Sequence, residues 1–347
     1  MFQDLVSAIP FPVLLVDASG RIEATNDGAR KLFGESIDAR HYITVLRQPT
    51  LLDAVEQAVT RKTTTRAKYL TTEARRDITL QATCAPLPSG QVLISFEDRT
   101  HVEETFQMRR DFVANVSHEL RTPLTALMGF IETLGGAARE DADARSRFLS
   151  IMEKEAGRMN RLVCDLLSLS RVEAEERIRP TSPVNLIGLA SSVLHSLSPM
   201  AVAEGIRFQI DMPETEFTIP GDTDQLAQVV TNLVENAIKY SPSGSEVYVR
   251  VRAQSDHPVL REDAVVLSVK DKGEGIDEIH IPRLTERFYR IDAHRSREMG
   301  GTGLGLAIVK HIVNRHRGRL RIESKLGEGS CFSVILPMAT AGATMSA

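Results

Sequence analysis

The chain of 347 residues has no tryptophan, 5% aromatic residues and only three cysteines. Cys84, Cys164 and Cys331 are far apart, odd in number and without metal-ligand spacing, which excludes a disulfide scaffold or a zinc ribbon and suits packing roles in a reducing compartment. An excess of positive charge is missing too: 42 Lys and Arg face 46 Asp and Glu, for a net charge of −4. No basic field is therefore expected to draw the chain onto nucleic acid or anionic lipid. No apolar run approaches the roughly 18 to 20 residues that cross a bilayer, and Met1-Phe2-Gln3-Asp4 lacks the basic leader of a signal peptide. The expectation is a cytoplasmic chain without a membrane span. A Gly-x4-Gly-Lys-Ser/Thr loop is absent, and Gly303-x-Gly305 lacks the third glycine of a dinucleotide fingerprint. What remains, 42% hydrophobic and 25% charged, describes a globular chain of two or three domains.

The most informative stretch is Ser117-His118-Glu119-Leu120-Arg121-Thr122-Pro123-Leu124. Val113, Val116, Leu120, Leu124, Leu127, Ile131 and Leu134 recur at spacings of three and four, the apolar stripe of an amphipathic helix. His118 lies off that stripe, roughly 200° round from Val116 and Leu120, so its imidazole faces solvent. A lone exposed histidine is ordinarily a solvated polar residue; the run around it points to chemistry. Pro123 lacks the amide that would reach the carbonyl of Glu119, so a bend one turn beyond His118 is expected. Gly135-Gly136 ends this helix. A second carries Phe148, Met152, Met159, Leu162, Leu166 and Leu169 on one face and stops before Pro180. Two amphipathic helices cannot enclose a core, so two hairpins should pair into a four-helix bundle, which predicts a homodimer.

Before the hairpin, Phe11 to Val16 and Arg21 to Thr25 read as strands about a turn at Asp17-Ala18-Ser19-Gly20. Helical segments follow, and strands return at Arg75 to Ala85 and Gln91 to Phe96. With Asn26 near its start, this segment resembles a PAS sensor domain. His41 as a haem ligand and Cys84 as a flavin attachment point lack supporting motifs, so a module that dimerises or relays signals is the expected form. Val102 to Arg110 runs without Gly or Pro into the His118 helix and reads as continuous helix.

Downstream, Asp224 to Tyr240 makes a helix that sets Asn232 and Asn236 four residues apart on one face. An amide oxygen is a hard ligand, so Asn236 is suited to Mg²⁺. A strand, Val265 to Val269, precedes Asp271-Lys272-Gly273-Glu274-Gly275-Ile276. Phe288-Tyr289-Arg290 follows, then Gly301-Thr302-Gly303-Leu304-Gly305-Leu306 at the mouth of a helix, Ala307 to Arg315, whose N-terminal amides suit phosphate oxygens. Gly327-Glu328-Gly329-Ser330-Cys331-Phe332 comes last. Any one glycine cluster is explained by a turn; their order and spacing are not.

His118 to Leu124 resembles the phosphoacceptor box of two-component sensor histidine kinases, and the later clusters resemble that family's nucleotide boxes, in the ATP fold shared with gyrase and Hsp90. The resemblance covers residues 100 to 337. It implies a multi-domain α+β chain: a PAS-like α/β sensor (1–98), a helical linker (99–112), an antiparallel hairpin forming a dimeric four-helix bundle (113–178), a Bergerat-type α/β sandwich that binds ATP (179–340) and a tail (341–347). It implies autophosphorylation of His118 from ATP with Mg²⁺ on Asn236, with Glu119 taking the imidazole proton and Thr122 helping to orient a water that dephosphorylates a partner. Asn232, Asn236, Lys239, Tyr240, Asp271, Gly273, Gly275, Phe288, Arg290, Gly301, Gly303, Leu304 and Gly305 would hold the nucleotide, Asp271 accepting from the adenine amine. With no receiver domain in the chain, the response regulator must act in trans. Relatives carry membrane helices upstream, so membrane association follows if the chain is part of a longer protein. The run Asp-Phe-Val-Ala-Asn-Val-Ser-His resembles the phosphate-regulon sensor kinases. A nucleotide-binding pseudokinase scaffold and an Hsp90-like ATPase are the rival readings; intact His118, Asn236 and Asp271 argue against the first.

Overall fold

The computed structural model describes residues 6–73, 76–136, 138–214, 218–292 and 300–338. They form two compact units, Met1–Ala114 and Asn115–Ala347. The tail at 341–347, and Arg75 at the expected start of a strand, lie outside the described residues.

The first unit is a five-stranded antiparallel sheet in the order β2-β1-β5-β4-β3, formed by β1 (Val13–Val16), β2 (Ile22–Thr25), β3 (Thr65–Glu73), β4 (Arg76–Pro86) and β5 (Val92–Asp98). Helices α1 (Asp27–Phe33), α2 (Tyr42–Leu46) and α3 (Pro49–Arg61) lie between β2 and β3. Buried Asn26 organises the entry: its carbonyl oxygen accepts from Val13 N and Ala29 N, and its amide donates to Ile9 O and Phe11 O. All four bonding positions of the side chain are thereby used, which is why a polar residue is tolerated there. Phe33, Tyr69 and Phe96 fill the core with ring centroids 5.0–5.7 Å apart. His41 caps α2, its Nδ1 accepting from Ile43 N.

Strand β3 corrects the sequence reading, which went from helices directly to the strand after residue 75. Thr65–Glu73 buries Ala67 and half-buries Tyr69 while exposing Arg66 and Lys68. The burial alternates, but such an edge strand carries too few apolar residues for the alternation to stand out in the sequence.

The second unit begins within α4 (Thr100–Gly135), which runs through Pro123 without interruption. Asp141 caps α5 (Ala142–Glu175), its carboxylate accepting from Ala144 N. Within one chain Val116, Leu120, Leu127 and Leu134 are half-buried and Pro123 is buried. On α5, Leu162 and Leu169 are buried and Phe148, Met152, Met159 and Leu166 half-buried. Val113, Leu124, Met128 and Ile131 instead stand exposed within about 60° of one another on α4. Leu149, Val163 and Leu167 form a similar stripe on α5.

The rest is a sheet of order β11-β12-β10-β9-β7, with only β7 and β9 parallel. Its strands are β7 (Arg207–Asp211), β9 (Glu246–His257), β10 (Glu262–Lys270), β11 (Arg319–Lys325) and β12 (Gly329–Pro337). A two-stranded sheet joins β6 (Ser182–Asn185) to β8 (Thr218–Gly221). Helices α6 (Leu186–Ala203), α7 (Thr223–Tyr240) and α8 (Gly305–Arg315) complete an α/β sandwich. Leu226, Val230, Leu233, Ile308 and Ile312 are fully buried, as are Val249, Leu267 and Val334 on the sheet. His316 ties the layers together: its Nε2 accepts from Asp222 N and its Nδ1 donates to Ile312 O. Burial lowers its pKa, so the neutral form fits this pair of bonds.

Helix α6 corrects a second expectation. Its 18 residues, mean hydropathy 1.5, are long and apolar enough to cross a membrane. Part of that apolar content is used in packing, since Leu186, Ala190, Val193, Leu194 and Ala201 are buried.

Candidate active site

His118 lies on the exposed side of α4, as its helical phase requires. Thr122, one turn later, donates its hydroxyl to the His118 carbonyl at 3.2 Å. Glu119 faces the other way, into the unit. Its carboxylate accepts from Arg158 of α5 at 2.7 Å and from both terminal nitrogens of Arg290 at 3.2 Å. The three side chains are 13% exposed or less, so this is a largely desolvated fork-to-fork pair rather than a surface ion pair. Residue 290 is thus brought beside the neighbour of His118 across 171 positions of sequence.

Phe288 and the turn at 303 to 305 are held to each other by backbone geometry. Phe288 has φ 64°, an uncommon left-handed value for a bulky residue, and its N–H donates to Gly303 O at 2.8 Å. Gly303 has φ 75°, and a Cβ there would stand 2.9 Å from Phe288 Cα, so only glycine fits. Leu304 begins α8 without a side-chain cap, leaving the first-turn amides for an anion. Asn232 reaches Gly305 O at 3.5 Å; Asn236, one turn on, is half-buried on the same face of α7. Lys239 pairs with Glu235 at 2.8 Å, and Tyr240 is exposed. Gly301 is half-buried just before this turn.

Asp271 follows β10 and is 4% exposed. Its Oδ1 accepts from Gly273 N at 2.8 Å and Ser330 N at 3.1 Å. Burial nevertheless raises its pKa above the ordinary carboxylate value, the amide bonds offsetting only part of the desolvation. Gly275 has φ 72° and its missing Cβ lets the loop close on the Lys325 carbonyl.

Two features of this unit fit the phosphates of a nucleotide. The α8 start presents uncapped amides, and Arg290 Nε is buried with no hydrogen-bond partner among the described residues. A buried guanidinium N–H left without a partner beside a glycine turn is a donor that an anionic oxygen would satisfy, even while the two terminal nitrogens hold Glu119.

Sequence reasoning missed several residues that hold this arrangement. Arg158, Arg161, Asp165 and Ser168 on α5, and Glu176 at its C-cap, follow one another at spacings of three, four and eight, and their face meets the sandwich. Asp165 accepts from Thr302 at 2.6 Å, Ser168 donates to Gln228 at 2.8 Å, and Glu176 bonds His311 and Asn314. The spacing was visible, but polar residues at helical spacing are usually a solvated face.

Comparison with known proteins accords with this geometry. Residues 108–175 match the His Kinase A (phospho-acceptor) domain, and 221–340 match the histidine kinase-, DNA gyrase B- and HSP90-like ATPases. The phosphate regulon sensor protein PhoR of Pseudomonas aeruginosa is 36% identical over 335 residues, which cover 95% of this chain and 73% of that protein. The chain belongs to the two-component sensor histidine kinases. This kinase is also 32% identical to the sensor-like histidine kinase SenX3 of Mycolicibacterium smegmatis, over 97% of its length and 85% of the relative. It shares the fold of the histidine kinase ThkA, crystallised with the response regulator TrrA, at a TM-score of 0.53 and 20% identity over 97% of this chain and 98% of that one. As a family member it is an ATP-dependent protein-histidine kinase that signals through a response regulator.

Proposed function

We propose that His118 is the phosphoacceptor of this kinase and that the phosphoryl group passes from it to an aspartate of a response regulator. The observation that carries the reading is the Arg290–Glu119 pair, which joins the nucleotide-binding segment to the neighbour of an exposed imidazole. One ring nitrogen of His118 attacks the γ-phosphorus, the bond to the β–γ bridging oxygen breaks, and ADP leaves. The other ring nitrogen gives its proton to Glu119. Glu119 can do so only after leaving Arg158 and Arg290, so the arrangement described is a resting one. Asp271 accepts from the adenine amine through Oδ2, the oxygen not engaged by Gly273 and Ser330. The amides of Gly303 to Gly305, with Asn232, Lys239 and Arg290, hold the phosphates. Mg²⁺, when bound, neutralises charge developing on the phosphate oxygens; Asn236 would hold it.

The exposed stripes of α4 and α5 support a homodimer through a four-helix bundle, because so continuous an apolar surface is normally covered. Leu124→Glu is expected to convert the dimer to monomer at micromolar concentration, measured by analytical ultracentrifugation. A dimer of unchanged stability would remove this face from the interface. Thr122 supports a phosphatase activity toward the regulator, and the first unit supports a PAS-like sensor. Similarity to PhoR supports a role in phosphate signalling on the cytoplasmic side, where ATP and receiver meet. Incubation with γ-labelled ATP and then with each response regulator of the host tests the reading. Label should move rapidly to one receiver from wild type and to none from His118→Gln; equal labelling by both contradicts it.

A further inference from the structure

Asp165 belongs to none of the nucleotide boxes, yet its carboxylate accepts the Thr302 hydroxyl at 2.6 Å, inside the glycine turn that opens α8. The same hydroxyl accepts from Leu304 N at 3.3 Å, so Asp165 fixes the group that orients the first amide of the turn. One turn earlier on α5, Arg161 lies against Gly300: a Cβ added there would come 2.7 Å from its guanidinium. The turn is thus held from outside the sandwich on both sides of Gly301. Asp165 is also badly placed for a charge. Burial raises its pKa; the Thr302 hydroxyl bond offsets part of the rise, Glu235 adds to it, and Lys239 and Arg161 oppose it.

The geometry points to Asp165 as a positioning residue that stands in for a phosphate oxygen: the hairpin carboxylate and the polyphosphate of a nucleoside triphosphate compete for Thr302. The inference rests on the reading of the sandwich as the ATP site. A carboxylate on the turn repels an incoming polyphosphate at short range and occupies a hydroxyl that a phosphate oxygen could otherwise accept from. Nucleotide binding and docking of α5 on the turn therefore oppose each other, and by linkage each weakens the other by the same factor. The resting pair at Glu119 and the contact at Thr302 then release together, because the Phe288 N–Gly303 O bond ties the two attachment points to each other.

Titration calorimetry of the full chain with Mg²⁺ and the non-hydrolysable analogue AMP-PNP tests this. Asp165→Asn keeps size and shape but removes the charge, and should bind roughly fivefold more tightly than wild type or better. Thr302→Ser, which keeps the hydroxyl, should stay within about twofold of wild type. In autophosphorylation assays Asp165→Asn should lower KM for ATP while the rate at saturation stays within about threefold. Structural damage would instead raise KM or lower the rate. Affinity of Asp165→Asn equal to or weaker than that of a binding-competent wild type overturns the inference and leaves the ATP site standing. Failure of wild type itself to bind overturns the ATP site and the inference together.

Discussion

Asp271→Asn is expected to lose nucleotide binding by about 100-fold while the unliganded protein melts no lower than wild type. The carboxylate spends Oδ1 on Gly273 N and Ser330 N, and an asparagine carbonyl can accept both. At Oδ2 the variant presents an NH₂, which would face the amine of adenine donor to donor. Loss of a hydrogen bond to a charged acceptor, with a donor left unpaired, is worth about 1.5–3 kcal/mol, or roughly 10- to 150-fold. The stability side follows from linkage. Because the folded pKa is raised above the usual 3.8, Asp271 favours the fold fully below that value, and the benefit is lost as pH rises through the raised pKa. At neutral pH wild type therefore carries the cost of a buried charge, which asparagine removes. Binding shows the opposite trend, since protonation withdraws an acceptor: wild-type affinity should fall as pH drops through the raised pKa. Calorimetry and thermal melts of both proteins check the two halves. A variant that binds normally would show that Asp271 only shapes the turn, and one that melts much lower would show that its charge supports the fold.

Glu119→Gln is expected to slow single-turnover autophosphorylation at saturating ATP by about 10²- to 10⁴-fold, the usual worth of a positioned base. Affinity for nucleotide should change far less, since glutamine keeps two acceptor positions on one oxygen for the arginines but cannot take a proton. The variant also separates chemistry from docking. Removing one charge from the largely desolvated Arg158–Glu119–Arg290 cluster loosens the resting contact, which by itself would speed the reaction. A net loss of rate is then a statement about proton transfer. A rate within tenfold of wild type would assign Glu119 to docking alone.

Elements with a strong local signal are legible in the sequence. The stripes of α4 and α5, the exposure of His118, and the order of the glycine turns need only nearest-neighbour physics: helical phase and the glycine preference of positive φ. Gly275 and Gly303 have that geometry, at φ 72° and 75°. What stayed hidden depends on partners distant in sequence. Nothing in the neighbourhood of Arg158 or Asp165 announces Glu119 or Thr302, and a charged residue on a long helix reads as solvated. The left-handed Phe288 was equally hidden, because the constraint on it comes from Gly303 rather than from its own neighbours. Strand β3 is hard to read from sequence because an edge strand is built to look polar. Helix α6 does not read as an apolar run because serines, a histidine and a proline interrupt its apolar residues.

The most direct measurement locates the phosphoryl group on the chain itself. Purified protein is incubated with ATP and magnesium, digested at alkaline pH, where a phosphoramidate survives, and sequenced by electron-transfer mass spectrometry. The account predicts phosphate on a ring nitrogen of His118 and on no serine, threonine or other histidine. Phosphate on another residue, or an unmodified His118 in protein that demonstrably binds ATP, contradicts it.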